Sequence, residues 1–168
     1  MSGLQRSQAS FSPAVKERIA ALGDIDELNS IIGLLLGQLE QADIREQLLQ
    51  IQHDLFDLGA ELSLPGDNKL TQSYVDYLQE KIDEMNQTLP PLKEFILPGG
   101  SSLLGFLHLA RSVCRRSERS LVTLHREQAV NPISLQYVNR LSDLLFVMAR
   151  HLNHEAGEPD VFWQHERR

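Results

Sequence analysis

Apolar residues recur at steps of three and four along most of the chain, which is the spacing of one buried helix face. The pattern is clearest in "IREQLLQIQHDLFDLGAELS", whose apolar side is Leu48, Ile51, Leu55, Leu58 and Leu62. A similar pattern fills "GDIDELNSIIGLLLGQLE", where Asp24 and Glu27 resemble a capping box and predict a helix start. No alternating strand pattern competes with the helical one, so the predicted fold class is all-α.

Three more helices complete the predicted fold. Thr71 is the predicted N-cap of the third helix, which a pair of prolines ends. The fourth helix spans roughly residues 101–129, and the fifth spans roughly 134–156 after a turn at Asn131-Pro132. Long helices with mostly short connections predict a five-helix up-and-down bundle.

The bundle is predicted to form one domain over residues 1–168, since no repeat or low-complexity linker divides the chain. Residues 1–17 are predicted to be a poorly ordered N-terminal segment, and residues 158–168 are predicted to be a C-terminal tail. The tail residues expected to pack onto the bundle are Val161, Phe162 or Trp163.

Composition narrows the functional classes. The chain is 42% hydrophobic and 23% charged with a formal net charge of -7, which argues against a general nucleic-acid binder. Cys114 is the only cysteine, so an intrachain disulfide and a Cys-based zinc site are excluded, and it is predicted to pack in the core. No apolar run approaches the roughly 20 residues of a membrane span, and the N-terminus lacks a secretory signal core. We therefore expect a cytoplasmic protein without a membrane or nucleic-acid partner.

Against this acidic background, "HLARSVCRRSERS" gathers Arg111, Arg115, Arg116 and Arg119 in one helical stretch. Like charges three and four residues apart repel by a few tenths of a kcal/mol per pair. Such arginines are either spread over a solvated face or aimed at an anion. At about 100° per residue, Arg111 and Arg115 border the apolar side of the helix, whereas Arg116 points away from it. A matching polar stripe on the fifth helix, which includes Asn139, favours a partly buried polar cleft.

Two other features each allow two interpretations. Asp26, near the predicted start of the first helix, either complements the helix dipole or partners a buried arginine. In "FILPGGSS", the glycines either precede an anion-binding helix N-terminus or belong to a turn capped by Ser101 or Ser102. Phe95 on this loop is either a core anchor, the more common arrangement, or a lid over a ligand. The histidines and acidic residues show no metal-binding motif, so the metal ligands are unknown.

Five stretches together resemble one family. "DELNSIIGLL", "IQHDLFDLGAELS", "FILPGGS", "HLARSVCRRSERSLV" and "VNRLSDLLFVMAR" have the order and approximate spacing of the PduO-type ATP:cob(I)alamin adenosyltransferases. The resemblance implies a five-helix bundle, usually a homotrimer with active sites between subunits. It implies transfer of the 5′-deoxyadenosyl group of ATP, with Mg²⁺, to cob(I)alamin, which gives adenosylcobalamin and triphosphate. A reductase or an adenosylcobalamin-dependent enzyme is the kind of protein partner to expect.

The resemblance also implies roles for individual residues. Arg115 matches an arginine that contacts the polyphosphate, and Glu118 and Asn139 match residues of the nucleotide site. Arg111 matches an arginine that pairs across the subunit interface with the aspartate corresponding to Asp26. That pair helps to shape the corrinoid pocket.

Phe95 matches an aromatic residue that closes the lower face of the corrin and keeps the lower base off cobalt. One segment departs from the family pattern, because no T-x-x-G-D-x-G-x-T loop for the ATP phosphates aligns in "MSGLQRSQASFSPAVKER". The departure leaves three alternatives. The chain is an adenosyltransferase that holds ATP differently, a member that binds or delivers cobalamin without catalysis, or a bundle whose arginines bind another anion.

Overall fold

The computed structural model describes residues 11–166, and within them the chain folds into five α-helices. The helices are α1 (Pro13–Leu36), α2 (Ala42–Ser63), α3 (Gln72–Asn86), α4 (Ser102–Glu127) and α5 (Pro132–Glu155). Strand-like pairing in the described residues is limited to one isolated antiparallel bridge between Ile96 and Phe162. None of the helices within residues 11–166 combines the length and hydropathy needed to cross a membrane. The predicted all-α fold with five helices is confirmed.

The helices do not pack in chain order. α1 packs on α2 and α4, and α5 packs on α4 and α3, which gives the spatial order α2, α1, α4, α5, α3. Short connections at 37–41 and 128–131 join α1 to α2 and α4 to α5, so each pair forms a helical hairpin. One cluster of buried apolar side chains includes residues from all five helices. Because α4 lies in the middle of this order, it has one face toward α1 and another toward α5.

α1 begins at Pro13, well before the predicted capping box. Ser12 is its N-cap, and its hydroxyl accepts a hydrogen bond from the Val15 N–H at 3.4 Å. Proline suits the first helical position because the N–H that it lacks would have no partner there. The prediction that residues 1–17 are poorly ordered is therefore wrong for their helical part, whereas residues 1–10 lie outside the described part of the chain.

The other predicted starts agree closely with the structure. Thr71 occupies the N-cap position of α3, although its side chain makes no capping hydrogen bond. Ser101 caps α4 by accepting from the Leu104 N–H at 3.3 Å. Asn131 caps α5 by accepting from the Ile133 N–H at 3.1 Å. These caps fix where the two helices that carry most of the candidate site residues begin.

The C-terminal tail packs differently from the prediction. Beyond α5 it reaches the connection between α3 and α4, where the bridge between Ile96 and Phe162 joins the two segments. Val161, Phe162 and Trp163 are 62%, 46% and 40% exposed, so they lie against this connection rather than in the bundle core. The extended backbone of the connection offers unpaired N–H and C=O groups, which explains why the tail pairs there.

A buried carboxylate fastens the end of α2 to the start of α5. Glu61 Oε2 accepts from the backbone N–H groups of Lys69 and Leu70 at 2.8 and 3.1 Å, and from Asn131 Nδ2 at 3.1 Å. Ser134 donates its hydroxyl to the other carboxylate oxygen. Glu61 is only 5% exposed, so water cannot readily replace it as the acceptor for these four donors.

We expect Glu61→Ala to lower the free energy of unfolding by roughly 3 kcal/mol, because it leaves several buried donors unpaired. Urea denaturation at one fixed protein concentration measures this difference. Glu84→Ala is the matched control, since Glu84 has only a partly exposed pair with Lys81 and should cost less than about 1 kcal/mol. Equal stability of Glu61→Ala and the unaltered protein would show that this carboxylate does not hold the fold.

Candidate active site

An open groove runs between α4 and α5, with the last turns of α3 at its edge. Its volume is about 440 Å³, and we call it the arginine groove. Its polar and charged lining residues are Arg111, Arg115, Arg140, Ser142 and Asp143. The predicted polar cleft between the fourth and fifth helices is therefore present.

Three of the predicted nucleotide-site residues form a hydrogen-bonded chain between the two helices. Arg115 Nη1 lies 2.5 Å from Glu118 Oε2, and Asn139 Nδ2 donates to Glu118 Oε1 at 2.9 Å. The Glu118 side chain is 19% exposed and the Arg115 side chain 49% exposed, so a largely buried carboxylate holds a half-exposed guanidinium. A guanidinium carries five N–H donors, so this contact leaves several of them for an anion.

Arg111 lies one helical turn before Arg115 in α4 and lines the same groove. Its Nε is buried and has no hydrogen-bond partner among the described residues. Leaving a buried charged donor unpaired is costly, and such groups are normally satisfied in native proteins. A partner from outside the described residues, either a ligand or a second copy of the chain, would satisfy it.

Arg116 lies on the face of α4 that packs on α1. Its Nε donates to Asp24 Oδ1 at 2.9 Å, and its Nη2 donates to Glu27. Ser120 Oγ donates to the other oxygen of Asp24 at 2.5 Å. The prediction that Arg116 points away from the packed side is wrong, because α4 lies between two helices and α1 covers this face. The two acids that resemble a capping box lie within α1 and bind α4.

Asp26 lies on the other side of α1 from Asp24, as a step of two residues, or about 200°, requires. It lines a second groove of about 440 Å³ between α1 and α2, together with the apolar Leu22 and Phe56. Phe56 is 74% exposed, so this face of the chain carries an uncovered aromatic side chain. Asp26 lies within α1, so the interpretation that it complements an N-terminal helix dipole is wrong. Within one chain, Asp26 and Arg111 line different grooves.

Phe95 projects from the connection that precedes α4. It is 76% exposed, and its ring centroid lies 6.3 Å from that of Trp163 in the tail, so the core-anchor interpretation is wrong. Gly100 ends this connection with a φ of 106°, a conformation that other residues rarely adopt. A Cβ at Gly100 would also lie 2.8 Å from the Leu104 side chain, so this position requires glycine.

A further cavity of about 270 Å³ lies between this connection, α4, α5 and the tail, and we call it the loop cavity. Its polar lining includes His108, Arg150, Asn153 and Asp160. His108 is buried, and its Nδ1 has no partner among the described residues. Burial and the neighbouring Arg111 charge lower the pKa of His108, so this imidazole is neutral at pH 7.

Two other candidate chemistries find no support in the described residues. Cys114 is buried and donates its thiol to the Val138 carbonyl at 3.2 Å, and burial raises the pKa of the thiol. A buried neutral thiol is a packing group and not a nucleophile, as predicted. Within residues 11–166, no cluster of three or more His, Cys, Asp or Glu side chains is arranged to hold a metal.

The ion pairs of two arginines were not predicted from the sequence, although Arg150 belongs to the polar stripe of the fifth helix. Arg140 lines the arginine groove and pairs with Asp143 at 3.0 Å, and their three-residue spacing on one helix is a signal that could have found the pair. Arg150 pairs with Asp160 at 3.0 Å across the end of α5. No periodicity links a helix to the tail beyond it, so the sequence carries no signal for the second pair.

Comparison with known proteins agrees with this geometry. The sequence profile of the family described as Cobalamin adenosyltransferase matches residues 8–152. A cobalamin adenosyltransferase from Cupriavidus metallidurans is 55% identical over 151 residues, which cover 89% of this chain and 82% of that protein. A corrinoid adenosyltransferase from Bacillus subtilis is 43% identical over 154 residues, which cover 88% and 80%.

Solved structures show the same similarity. A variant of the PduO-type ATP:corrinoid adenosyltransferase from Lactobacillus reuteri, complexed with cobalamin and ATP, has a TM-score of 0.83 at 39% identity, covering 88% of this chain and 86% of that one. Another variant, complexed with ATP, has a TM-score of 0.84 at 40% identity, covering 88% and 87%. These relatives favour the catalytic prediction over a cobalamin carrier or an interaction bundle. The chain belongs to the cobalamin adenosyltransferase family, and it is an enzyme that transfers an adenosyl group to a corrinoid.

Proposed function

We propose that the arginine groove binds the triphosphate of ATP and that the chain transfers the 5′-deoxyadenosyl group to cob(I)alamin there. The observation that carries the proposal is the hydrogen-bonded series Arg115–Glu118–Asn139, which holds a half-exposed guanidinium at the arginine groove. The unpartnered Nε of Arg111 on the same wall adds a second positive charge. Two guanidinium groups beside each other in an acidic protein suit a polyanionic ligand.

The reaction requires stabilisation of its leaving group, triphosphate. An electron pair of Co(I) forms the cobalt–carbon bond, while the bond between the 5′ carbon and oxygen breaks and its electron pair leaves with triphosphate. Negative charge therefore grows on the triphosphate oxygen in the transition state. A preorganised donor such as Arg115 stabilises that charge more than it stabilises bound ATP, which is the condition for raising the rate.

Glu118 and Asn139 act by holding Arg115. Fixing an arginine side chain costs about 2 kcal/mol of rotamer entropy. Because Glu118 already orders Arg115, little of this entropy is lost when the ligand binds. Glu118 accepts from both neighbours, so it joins α4 to α5 at the point where the triphosphate would lie. In this proposal Asn139 sets the orientation of the carboxylate, and the carboxylate sets the orientation of the guanidinium.

The site is completed by a second copy of the chain. Asp26 is exposed on the far side of α1 from Asp24, and it faces away from the arginines of its own chain. A neighbouring copy could bring its Arg111 to this Asp26, which would satisfy the guanidinium and cover the exposed Phe56 beside it. A head-to-tail contact of this kind forms a closed ring of three when its rotation is a third of a full turn, and we propose such a homotrimer with its active sites between subunits.

Phe95 forms the lower wall of the corrinoid site. Its exposed ring offers an apolar surface that cannot coordinate cobalt. A side chain that excludes the lower ligand leaves Co(II) easier to reduce to Co(I), the species that attacks ATP. The exposure of Phe95 supports this role, because a core aromatic could not reach a ligand.

The proposal also covers the metal ion, the protein partners and the cellular location of the reaction. Mg²⁺ would be bound mainly by the triphosphate oxygens, since the described side chains form no metal cluster of their own. Co(I) has to be supplied by a reducing reaction, so a reductase is one class of partner, and an adenosylcobalamin-dependent enzyme would use the product. We propose a cytoplasmic location, to which the single buried cysteine adds weak support.

We expect Arg115→Ala to lower kcat/KM for ATP roughly hundredfold, because it removes a charge-assisted donor to the leaving group. Anaerobic turnover of chemically reduced cobalamin with varied ATP measures it. Because the Arg115 side chain is half exposed, the fold should lose little stability, which thermal unfolding checks.

Arg119→Ala is the matched control for Arg115→Ala, since Arg119 lies one turn further along α4 and, among residues 11–166, donates only to the Arg115 carbonyl, at 3.2 Å. It should keep kcat/KM for ATP close to that of the unaltered enzyme. Unchanged turnover in Arg115→Ala, or an equal loss in Arg119→Ala, would contradict the assignment of Arg115 to the triphosphate.

We expect Phe95→Ala to leave the KM for ATP unchanged while kcat falls roughly tenfold or more, because the lower ligand can return to cobalt. The visible spectrum of enzyme-bound Co(II)alamin should show a smaller base-off fraction. Phe95→Leu keeps an apolar side chain of intermediate size and should give an intermediate kcat. A parallel loss of ATP affinity would instead place Phe95 at the nucleotide.

A further inference from the structure

The segment that carries Phe95 is held by the C-terminal tail. The Leu97 N–H donates to the Val161 carbonyl at 2.8 Å, and the Trp163 N–H donates to the Phe95 carbonyl at 2.7 Å. Within residues 11–166, residues 94–98 make no backbone hydrogen bond to a helix. The position of Phe95 relative to the bundle therefore depends on where the tail is held.

The tail is in turn held by a buried ion pair. Arg150 of α5 has a side chain only 6% exposed, and its Nε donates to Asp160 Oδ2 at 3.0 Å. Asn153, one turn later in α5, donates to Asp160 Oδ1 at 3.4 Å and to the Glu158 carbonyl at 3.2 Å. Both carboxylate oxygens of Asp160 thus bind α5, just before the tail turns toward the Phe95 segment.

The same guanidinium also holds the other end of the Phe95 segment. Arg150 Nη2 donates to the Pro90 carbonyl at 2.9 Å, near the start of the connection between α3 and α4. The planar fork of an arginine can reach two acceptors at once, which a lysine ammonium on a flexible stem does with less definition. One buried side chain therefore fixes both the beginning of the connection and the tail segment that pairs with Phe95.

We propose that Arg150 and Asp160 are positioning residues that set the place of Phe95 through the tail. The inference rests on the proposed role of Phe95 in the corrinoid site, and neither residue needs to touch the substrate. Breaking a buried ion pair leaves an uncompensated charge, so loss of either partner releases the tail from α5. The free tail carries its paired segment away with it, and Phe95 loses its fixed position beneath the corrin.

Tryptophan fluorescence tests the anchoring directly, because Trp163 is the only tryptophan of the chain and lies in the paired tail. In Arg150→Met and in Asp160→Asn, we expect emission to shift to longer wavelength and acrylamide quenching to rise roughly twofold as the tail leaves the bundle. All variants are compared at one fixed pH, since the His165 ring lies 4.0 Å from the Trp163 ring.

Kinetics tests the consequence for catalysis. Arg150→Met and Asp160→Asn should lower kcat roughly tenfold with an unchanged KM for ATP, as Phe95→Ala does. The double variant Phe95→Ala with Arg150→Met should fall no further than Phe95→Ala alone, because both changes remove the same function. Arg150→Lys should restore part of kcat, since an ammonium can still pair with Asp160.

Tyr137→Phe is the control for general destabilisation. It removes a buried hydrogen bond to Asp54 of α2 at 2.9 Å, and Tyr137 takes no part in the bonds that hold the tail to Arg150, Asn153 and the Phe95 segment, so quenching of Trp163 and kcat should not change. Unchanged fluorescence in Asp160→Asn and Arg150→Met would overturn the anchoring. Additive losses in the double variant would overturn the action through Phe95 while leaving the proposed function intact. Full activity of Phe95→Ala would overturn the role of Phe95 and with it the catalytic half of this inference, but not the anchoring that fluorescence reports.

Discussion

The arrangement of this protein depends on how it compensates four arginines placed close together on α4. Their mutual repulsion favours pairing each charge with an anion or spreading it into water. Arg116 pairs with the acids of α1 across the α1–α4 contact, whereas Arg115 is held by Glu118 at the contact with α5. Arg111 is left with a buried Nε that no described residue satisfies. Arg111 lines the arginine groove beside Arg115, and these charges are the basis for proposing that the groove is an anion site.

The same constraint separates Asp24, which is bound within the chain, from Asp26, for which we propose a role in the site. Asp24 faces α4 and is bound by Arg116 and Ser120, so it belongs to the fold. Asp26 is two residues further along the helix and faces the opposite way, beside the exposed Phe56. The proposed intersubunit site requires an acid that faces away from the arginines of its own chain, and Asp26 has this position.

Much of the fold was predictable because helix periodicity is a local signal, and it located α2 to α5 to within a few residues. The start of α1 was missed, since its first turns bury little and Ile19 there is 55% exposed. Arg115, Glu118 and Asn139 could be grouped from helical spacing together with the family resemblance. The exposure of Phe95 and the pair of Arg150 with the tail were not predictable, because they depend on how the chain returns after α5.

The central claim is that each active site combines Asp26 of one subunit with the arginine groove of another. Complementation between two inactive variants tests it most directly. Subunits carrying Asp26→Ala and Arg115→Ala, with different affinity tags, are produced together, and the mixed oligomers are isolated through both tags and assayed. A mixed trimer contains one site with both native residues, so the account predicts about a third of the activity of the unaltered enzyme. Activity no higher than that of either variant alone would show that both residues act within one subunit and would contradict the account.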